Sequence, residues 1–153
     1  MDWSLRGYRP SDFEVLHKID HACFPRHIAY SRRELRQYLS FPSADCIVAE
    51  RENNVGGFIL TESERDEGHI VTLDVLAANR RGGLGTALLA EAERHLAERG
   101  IRRIVLETLT TNVPGISFWQ KHGYRTEGVI PGYYPGPLDA FVMTKNNVDL
   151  LNV

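Results

Sequence analysis

Cysteine is scarce in this chain: Cys23 and Cys46 are the only two among 153 residues. A pair so placed builds no disulfide framework and lacks metal spacing, so both read as buried free thiols. Long apolar runs are missing as well. None approaches the roughly eighteen residues of a membrane-spanning helix, and the opening Met1-Asp2-Trp3-Ser4-Leu5-Arg6 does not look like a secretory leader. A cytoplasmic protein without membrane contact is expected. A basic excess is absent too: 18 Lys and Arg stand against 20 Asp and Glu, a formal charge of −2, which argues against a nucleic-acid partner. His17 and His21 lie one helical turn apart but have no acidic helper of the His-Glu-x-x-His kind. They read as solvated or interfacial side chains, and no metal is expected. Repeats, linkers and low-complexity stretches do not occur, apart from a polar tail over 146–153. Residues 1–145 read as one domain, and a chain that is 42% hydrophobic has enough core to fold alone.

The most informative segment is 75–89, where an apolar strand meets a helix through Arg80-Arg81-Gly82-Gly83-Leu84-Gly85-Thr86. Gly83 and Gly85 remove side chains where a backbone must approach a ligand closely, so consecutive N–H groups converge on anionic oxygens at the positive end of the helix. Arg80 and Arg81 add fixed positive charge. Such a turn reads as a pyrophosphate cradle. Two familiar glycine loops are excluded. A nucleotide-triphosphate loop ends Gly-Lys-Ser/Thr, whereas this one ends Gly85-Thr86-Ala87. A dinucleotide fingerprint needs a small residue where Leu88 stands and an acid where the apolar run Ile104-Val105-Leu106 lies.

Apolar periodicity along the chain switches between two and about 3.6 residues. A strand over 3–8 precedes a helix that starts at Pro10-Ser11-Asp12 and runs to about Cys23. Ser31 caps a second helix through Leu39, with Glu34 completing a capping box. Strands over 44–51 and 56–62 form a hairpin around Asn53-Asn54, and 69–76 is the next strand. The longest helix, 86–99, places Leu88, Leu89, Ala92 and Leu96 on one face and stops at Gly100. Ile104-Val105-Leu106, apolar without alternation, belongs to a strand over 101–108 covered on both faces. The long helix between makes it a parallel neighbour of the 69–76 strand through a right-handed crossover. A helix over 115–122 and strands over 124–129 and 139–145 complete the pattern. The expected fold is mixed α/β (α+β), a single twisted sheet of about six to seven strands flanked by about four helices.

Arg80-x-x-Gly83-x-Gly85 resembles the Arg/Gln-x-x-Gly-x-Gly/Ala signature of the GCN5-related N-acetyltransferases (GNAT). The likeness continues through the 101–108 strand, Asn112, the helix ending Phe118-Trp119-Gln120-Lys121-His122-Gly123-Tyr124, and Tyr133-Tyr134-Pro135. The resemblance implies a GNAT fold with a splayed parallel strand pair, acetyl-CoA as co-substrate, and direct attack by a primary amine in a ternary complex. By the same likeness, Arg80, Arg81, Gly82, Gly83, Leu84, Gly85 and Thr86 would hold the pyrophosphate. The backbone from Leu73 to Val75 would pair with the pantetheine arm and offer an N–H to the thioester carbonyl. Asn112 matches the family asparagine and would touch the cofactor, unless it serves only as a turn residue before Pro114.

An acid at the carboxyl end of an apolar central strand is costly unless it faces a polar cleft, which makes Glu107 the first candidate for general base. It stands five residues before Asn112, the spacing at which bacterial ribosomal-protein alanine N-acetyltransferases carry a catalytic glutamate. The competing role is an ion-paired structural acid. His69 is the second candidate. His69-Ile70-Val71-Thr72-Leu73 resembles the strand of a eukaryotic N-alpha-acetyltransferase in which residues at the His69 and Glu107 positions hold a water that deprotonates the amine. A plain strand-edge histidine is the alternative. Trp119 stands where many relatives carry the tyrosine that protonates the leaving thiolate, and an indole N–H has no usable acidity. That leaves Tyr134 or Tyr133 as the acid, or a thiolate that departs unaided, with Trp119 packed on the cofactor arm or in the core.

Tyr133-Tyr134-Pro135 resembles the hairpin tyrosines with which protein N-terminal acetyltransferases hold a substrate's first backbone units, and Phe24-Pro25 matches the opposing wall. Together they would form a slot for an extended peptide end; an ordinary aromatic turn is the alternative. Arg26, Glu62, Glu64, Asp66 and Glu67 stand where they would reshape that slot. An N-terminal amine titrates near about 7.8 and a lysine near about 10.4, so neutralising lysine costs about 3.5 kcal/mol more. An N-terminal amine is therefore slightly favoured over a lysine as acceptor; a small amine such as a polyamine, amino acid or aminoglycoside is the second reading, and a non-catalytic acyl-CoA sensor is the third. Monomer and homodimer both stay open.

Overall fold

Alternation along the strands resolves into two cores, one on each face of a single sheet. The computed structural model describes residues 2–146, so 147–153 of the polar tail lie outside the described residues. The strands are β1 (Ser4–Gly7), β2 (Asp45–Arg51), β3 (Asn54–Glu64), β4 (Glu67–Val75), β5 (Arg103–Leu109), β6 (Arg125–Tyr134) and β7 (Leu138–Asn146). They stand in the order β1-β2-β3-β4-β5-β7-β6. The helices are α1 (Phe13–Cys23), α2 (Arg32–Leu39), α3 (Leu84–Glu98) and α4 (Val113–Lys121). This is the mixed α/β sheet expected from the periodicity.

Cys46, Val48, Phe58 and Leu60 point to one face, where Phe13, Leu16 and Ile19 of α1 and Leu35 of α2 cover them. Ile47, Ala49, Ile59, Ile104 and Leu106 point to the other, against Leu84, Leu88, Leu89, Ala92 and Leu96 of α3. Each fully buried aliphatic side chain contributes about 2 kcal/mol of apolar transfer. Ser31 caps α2 as expected, accepting the Glu34 N–H at 3.1 Å while Glu34 accepts the Ser31 N–H at 3.0 Å.

Every adjacent pair is antiparallel except β4 and β5, which pair in parallel at Glu67 with Arg103, Gly68 with Ile104 and His69 with Val105. Beyond His69 the two strands part. β4 continues against β3 and β5 continues against β7, which leaves facing backbone edges without a partner strand. The splay expected from the family resemblance is thus present.

Four local features differ from the sequence reading. The β2–β3 hairpin pivots on Glu52-Asn53, both at positive φ (52° and 64°), one residue earlier than Asn53-Asn54. That pair of left-handed residues makes the tight turn whose twist suits a hairpin. The first N–H groups of a helix need no partner within it, so α3 already begins at Leu84. α4 begins at Val113 because Asn112 caps it. Tyr133 and Tyr134 form the end of β6 rather than a loop, where Gly132 at φ 63° accompanies a break in the register against β7.

Candidate active site

Each face of the sheet brings different chemistry to the point where β4 and β5 part. On the α3 face, the strand-to-helix turn runs through Arg81 at φ 70° and Gly83 at φ 84°. The left-handed backbone at Gly83 is what requires glycine there. At Gly85 an added Cβ would touch the Phe118 ring at 3.4 Å, an ordinary van der Waals contact. Gly82 is freer still: its added Cβ would meet only the Asn79 carbonyl at 3.9 Å. The first intrahelical bond runs from the Ala87 N–H to the Gly83 carbonyl at 3.0 Å. The N–H groups of Leu84, Gly85 and Thr86 therefore end the helix at its positive pole. Leu84 serves through its backbone alone, because its side chain is buried in the core. Arg80 donates its Nε–H to the Val75 carbonyl at 2.9 Å, and Cys23 donates its S–H to the same oxygen at 3.4 Å. Thr86 Oγ1 lies 3.1 Å from His122 Nε2.

The Asn112 side chain accepts the Gly115 N–H at 3.2 Å and so caps α4. Trp119 is 9% exposed, and its ring packs edge-on against Phe118 and Tyr124 in the α3 core. Of the two places open to it from sequence, it occupies the core. Asp20 and Asp74 are both fully buried between α1 and β4, and Asp20 accepts the Tyr30 N–H at 2.7 Å.

On the α1–α2 face, Glu62 follows Phe58 and Leu60 at strand spacing, and Glu107 alternates with the inward-pointing Leu106. Between them stands His69. Its Nδ1 lies 3.1 Å from Glu62 Oε1 and its Nε2 2.7 Å from Glu107 Oε1. Burial alone would lower the imidazole's pKa. The hydrogen bond and charge of Glu107, then those of Glu62, outweigh it and raise the value above the ordinary histidine range. Both ring nitrogens are therefore engaged by carboxylates. The sequence reading had imidazole and carboxylate sharing a water; the structure joins them directly.

Tyr133 donates its O–H to Glu107 Oε1 at 3.2 Å, and the Tyr134 ring stands edge-on to it at 4.8 Å. Glu107 Oε1 thus receives two bonds. Tyr134 is pushed up to about 12 by burial and by the charge of Glu107. Tyr133 rises further for the same reasons. Across the site, Tyr30 donates its O–H to the Val71 carbonyl at 3.3 Å, and its ring meets Tyr38 at 5.3 Å. The nearby charges of Glu62 and Glu107 add to burial in raising Tyr38. Phe24, half-buried, ends α1 and Pro25 follows it exposed, with the Pro25 carbonyl accepting the N–H groups of Ile28 and Ala29.

Glu62, Tyr30 and Tyr38 are the site residues to which the sequence reading gave no role in the chemistry. A cross-strand register would have found Glu62 opposite His69, but a hairpin register is not legible while a bulge is hidden. His17 and His21 lie on α1, ring centroids 4.3 Å apart, with His21 Nε2 2.8 Å from the Tyr30 carbonyl.

A parted parallel strand pair, a glycine turn leading into a helix and an acid–imidazole line at the parting point invite comparison with known proteins. The model of the acetyltransferase (GNAT) family matches residues 13–124. The chain belongs to the GNAT family. It is an N-acetyltransferase, and the family uses acetyl-CoA. The N-alpha-acetyltransferase of Saccharolobus solfataricus is 28% identical over 94% of this chain and 93% of its own length. Naa50 of Arabidopsis thaliana, solved with the bisubstrate analogue CoA-Ac-MVNAL, superposes with a TM-score of 0.82 at 25% identity, covering 95% of this acetyltransferase and 99% of that chain. The ribosomal-protein-S18-alanine N-acetyltransferase of Escherichia coli shares the fold, with a TM-score of 0.85 at 20% identity over 94% of this chain and 93% of that one. Among the described residues, no helix is long and apolar enough to cross a membrane, and no cluster of His, Cys, Asp and Glu is arranged to hold a metal.

Proposed function

We propose that this acetyltransferase modifies the free α-amine of a polypeptide N-terminus and that Glu107 takes the amine's proton. The observation that carries this reading is the position of Glu107. It lies where β4 and β5 part, with Oε1 held by His69 and Tyr133, while no hydrogen bond among the described residues uses Oε2. The names and bound analogue of the N-alpha-acetyltransferase relatives support the acceptor class.

The parted strand edge, the glycine turn and the open helix pole fit acetyl-CoA, which supplies the acetyl group as a thioester. Leu73 and Val75 would hold its arm through the backbone, and 80–86 its pyrophosphate. Since the Asn112 oxygen is committed to α4, its amide nitrogen is the part left for contact. Phe24 and Pro25 on one side and Tyr133 and Tyr134 on the other would form the two walls that admit an extended peptide end.

In the reaction, the substrate's ammonium releases a proton to Glu107 Oε2, directly or through one water. The freed nitrogen forms the bond to the acetyl carbon, its second proton passes to water, the carbon–sulfur bond breaks, and the electron pair leaves on sulfur. Tyr134 at about 12 is a poor acid for an alkyl thiolate whose conjugate acid titrates near about 8.5; the mismatch amounts to about 5 kcal/mol. The thiolate therefore departs as such and takes its proton from water, and Tyr134 serves as a wall of the slot.

The test is thiol release from acetyl-CoA with free-N-terminus peptides and with polyamines, in wild type and Glu107→Gln. The expected result is turnover on free N-termini that falls at least about 100-fold in Glu107→Gln, with acetyl-CoA binding retained. Turnover on polyamines alone moves the protein to the small-amine class, and tight binding without turnover on any amine makes it a sensor.

A further inference from the structure

His69 meets Glu62 only because the sheet is irregular. Leu60 pairs with Thr72, yet the next residue, Thr61, pairs with Ile70, so Val71 is an extra residue on β4. Without that bulge Glu62 would stand opposite Ile70, and His69 opposite Ser63 on the other face of the sheet. With it, Glu62 and His69 are a direct cross-strand pair joined at 3.1 Å. The bulged residue's own carbonyl is held by the Tyr30 hydroxyl at 3.3 Å. The pair continues to Glu107, which lies two residues beyond Val105, the parallel partner of His69.

We propose that Glu62 is a positioning residue: by accepting the His69 Nδ1–H it turns Nε2–H onto Glu107 Oε1, leaving Glu107 Oε2 as the acceptor for the substrate's proton. The inference rests on the reading of Glu107 as base. Flanked by two carboxylates, the imidazole serves both only by donating from both nitrogens, which is the imidazolium form. The charges that bear on it are those of Glu107 from β5 and Glu62 from β3; Tyr133 and Tyr134 from β6 and Tyr38 from α2 face those carboxylates, and Tyr30 from the α1–α2 connection holds the bulge. The tyrosines stay neutral because each phenol is raised above its ordinary value. The two carboxylates and His69 then carry a net charge of −1, which suits a cationic ammonium approaching the slot.

Glu62→Gln keeps an acceptor for Nδ1–H and removes the charge; Glu62→Ala removes both. NMR titration of the His69 ring in the whole protein reads the first effect without relying on turnover. His69 is expected to titrate about one pH unit lower in Glu62→Gln than in wild type. With a free-N-terminus peptide, kcat is expected to fall about tenfold in Glu62→Ala, to be largely rescued in Glu62→Gln, and to leave KM for acetyl-CoA unchanged. In a His69→Gln background, Glu62→Ala should cost nothing further. An unchanged His69 titration in Glu62→Gln, or a full additional loss in the His69→Gln background, overturns the proposal. If wild type acetylates no N-terminus yet His69 shifts as stated, the positioning contact stands and the peptide reading falls.

Discussion

Two lines of carboxylate, imidazole and carboxylate occur among the described residues. One is Glu62–His69–Glu107. In the other, His95 of α3 sets its Nδ1 2.7 Å from Asp45 Oδ2 and its Nε2 3.0 Å from Glu91 Oε1. The residue types and distances are alike, but the surroundings are not. His95 borders an open surface concavity of about 450 Å³ lined by Pro42, Ala44, Asp45, Glu98 and Arg99. No tyrosine and no parted strand edge belong to that lining. His69 bonds to the carboxylate that Tyr133 also holds, at the point where two parallel strands leave their backbones unpaired. An acid–imidazole line alone is therefore not a site. It becomes one where an acyl carrier and an amine can both reach it.

The comparison breaks most sharply at its acids. Glu107→Gln should lower kcat/KM about 100-fold or more, whereas Glu91→Gln should stay within about twofold of wild type; steady-state kinetics on one peptide reads both. At the imidazoles the gap narrows. His69→Gln should cost about tenfold in kcat, the size of one hydrogen bond to a charged group. His95→Gln should leave kcat unchanged and lower stability by less than about 1 kcal/mol, as a partly exposed pair does.

A third pair of carboxyls sharpens the contrast, because it has no imidazole between its members. Asp74 Oδ1 accepts the Thr72 hydroxyl at 2.5 Å, while Asp20 Oδ1 and Asp74 Oδ2 have no donor among the described residues. Burial, then the hydrogen bond and charge of Asp20, push Asp74 well above the usual carboxyl range, so Asp74 keeps its proton to higher pH than a free carboxyl does. A carboxyl raised in the folded state stabilises at low pH, and that contribution is lost as pH rises through its folded value. Asp74→Asn should therefore raise Tm over wild type by about 3 °C at pH 8 and by less at pH 4, as thermal scans can show.

The smallest effect is the pH dependence of stability due to His69. Its pKa is raised in the folded state, so its contribution is complete below about 6.5, the unfolded value, and fades as pH rises through the folded one. The stability difference between wild type and His69→Gln should shrink from pH 6 to pH 9 in urea titrations.

The helices and the Arg80-x-x-Gly83-x-Gly85 turn were legible because capping and glycine spacing are local signals: Ser31, Glu34 and Gly100 act within one turn of chain. Glu107 was legible because a charged residue among apolar neighbours stands out along a strand. Glu62 was not, since its role depends on an extra residue at Val71 in the opposite strand, and a one-residue slip moves a side chain to the other face. Tyr30 and Tyr38 escaped because nothing in α2 or the segment before it says that they will meet the end of β6 in space. Trp119 was ambiguous in sequence because an indole serves core and ligand equally well, and only its burial against Phe118 and Tyr124 decided its place.

The most direct test of an N-terminal acceptor is a competition in one tube, at neutral pH, between a peptide with a free N-terminus and the same peptide N-terminally blocked and carrying one lysine, read by mass spectrometry. The expected result is acetyl on the α-amine and none on the lysine until the free peptide is consumed. Equal labelling of both, or labelling of the lysine first, would contradict an α-amine slot walled by Phe24, Pro25, Tyr133 and Tyr134.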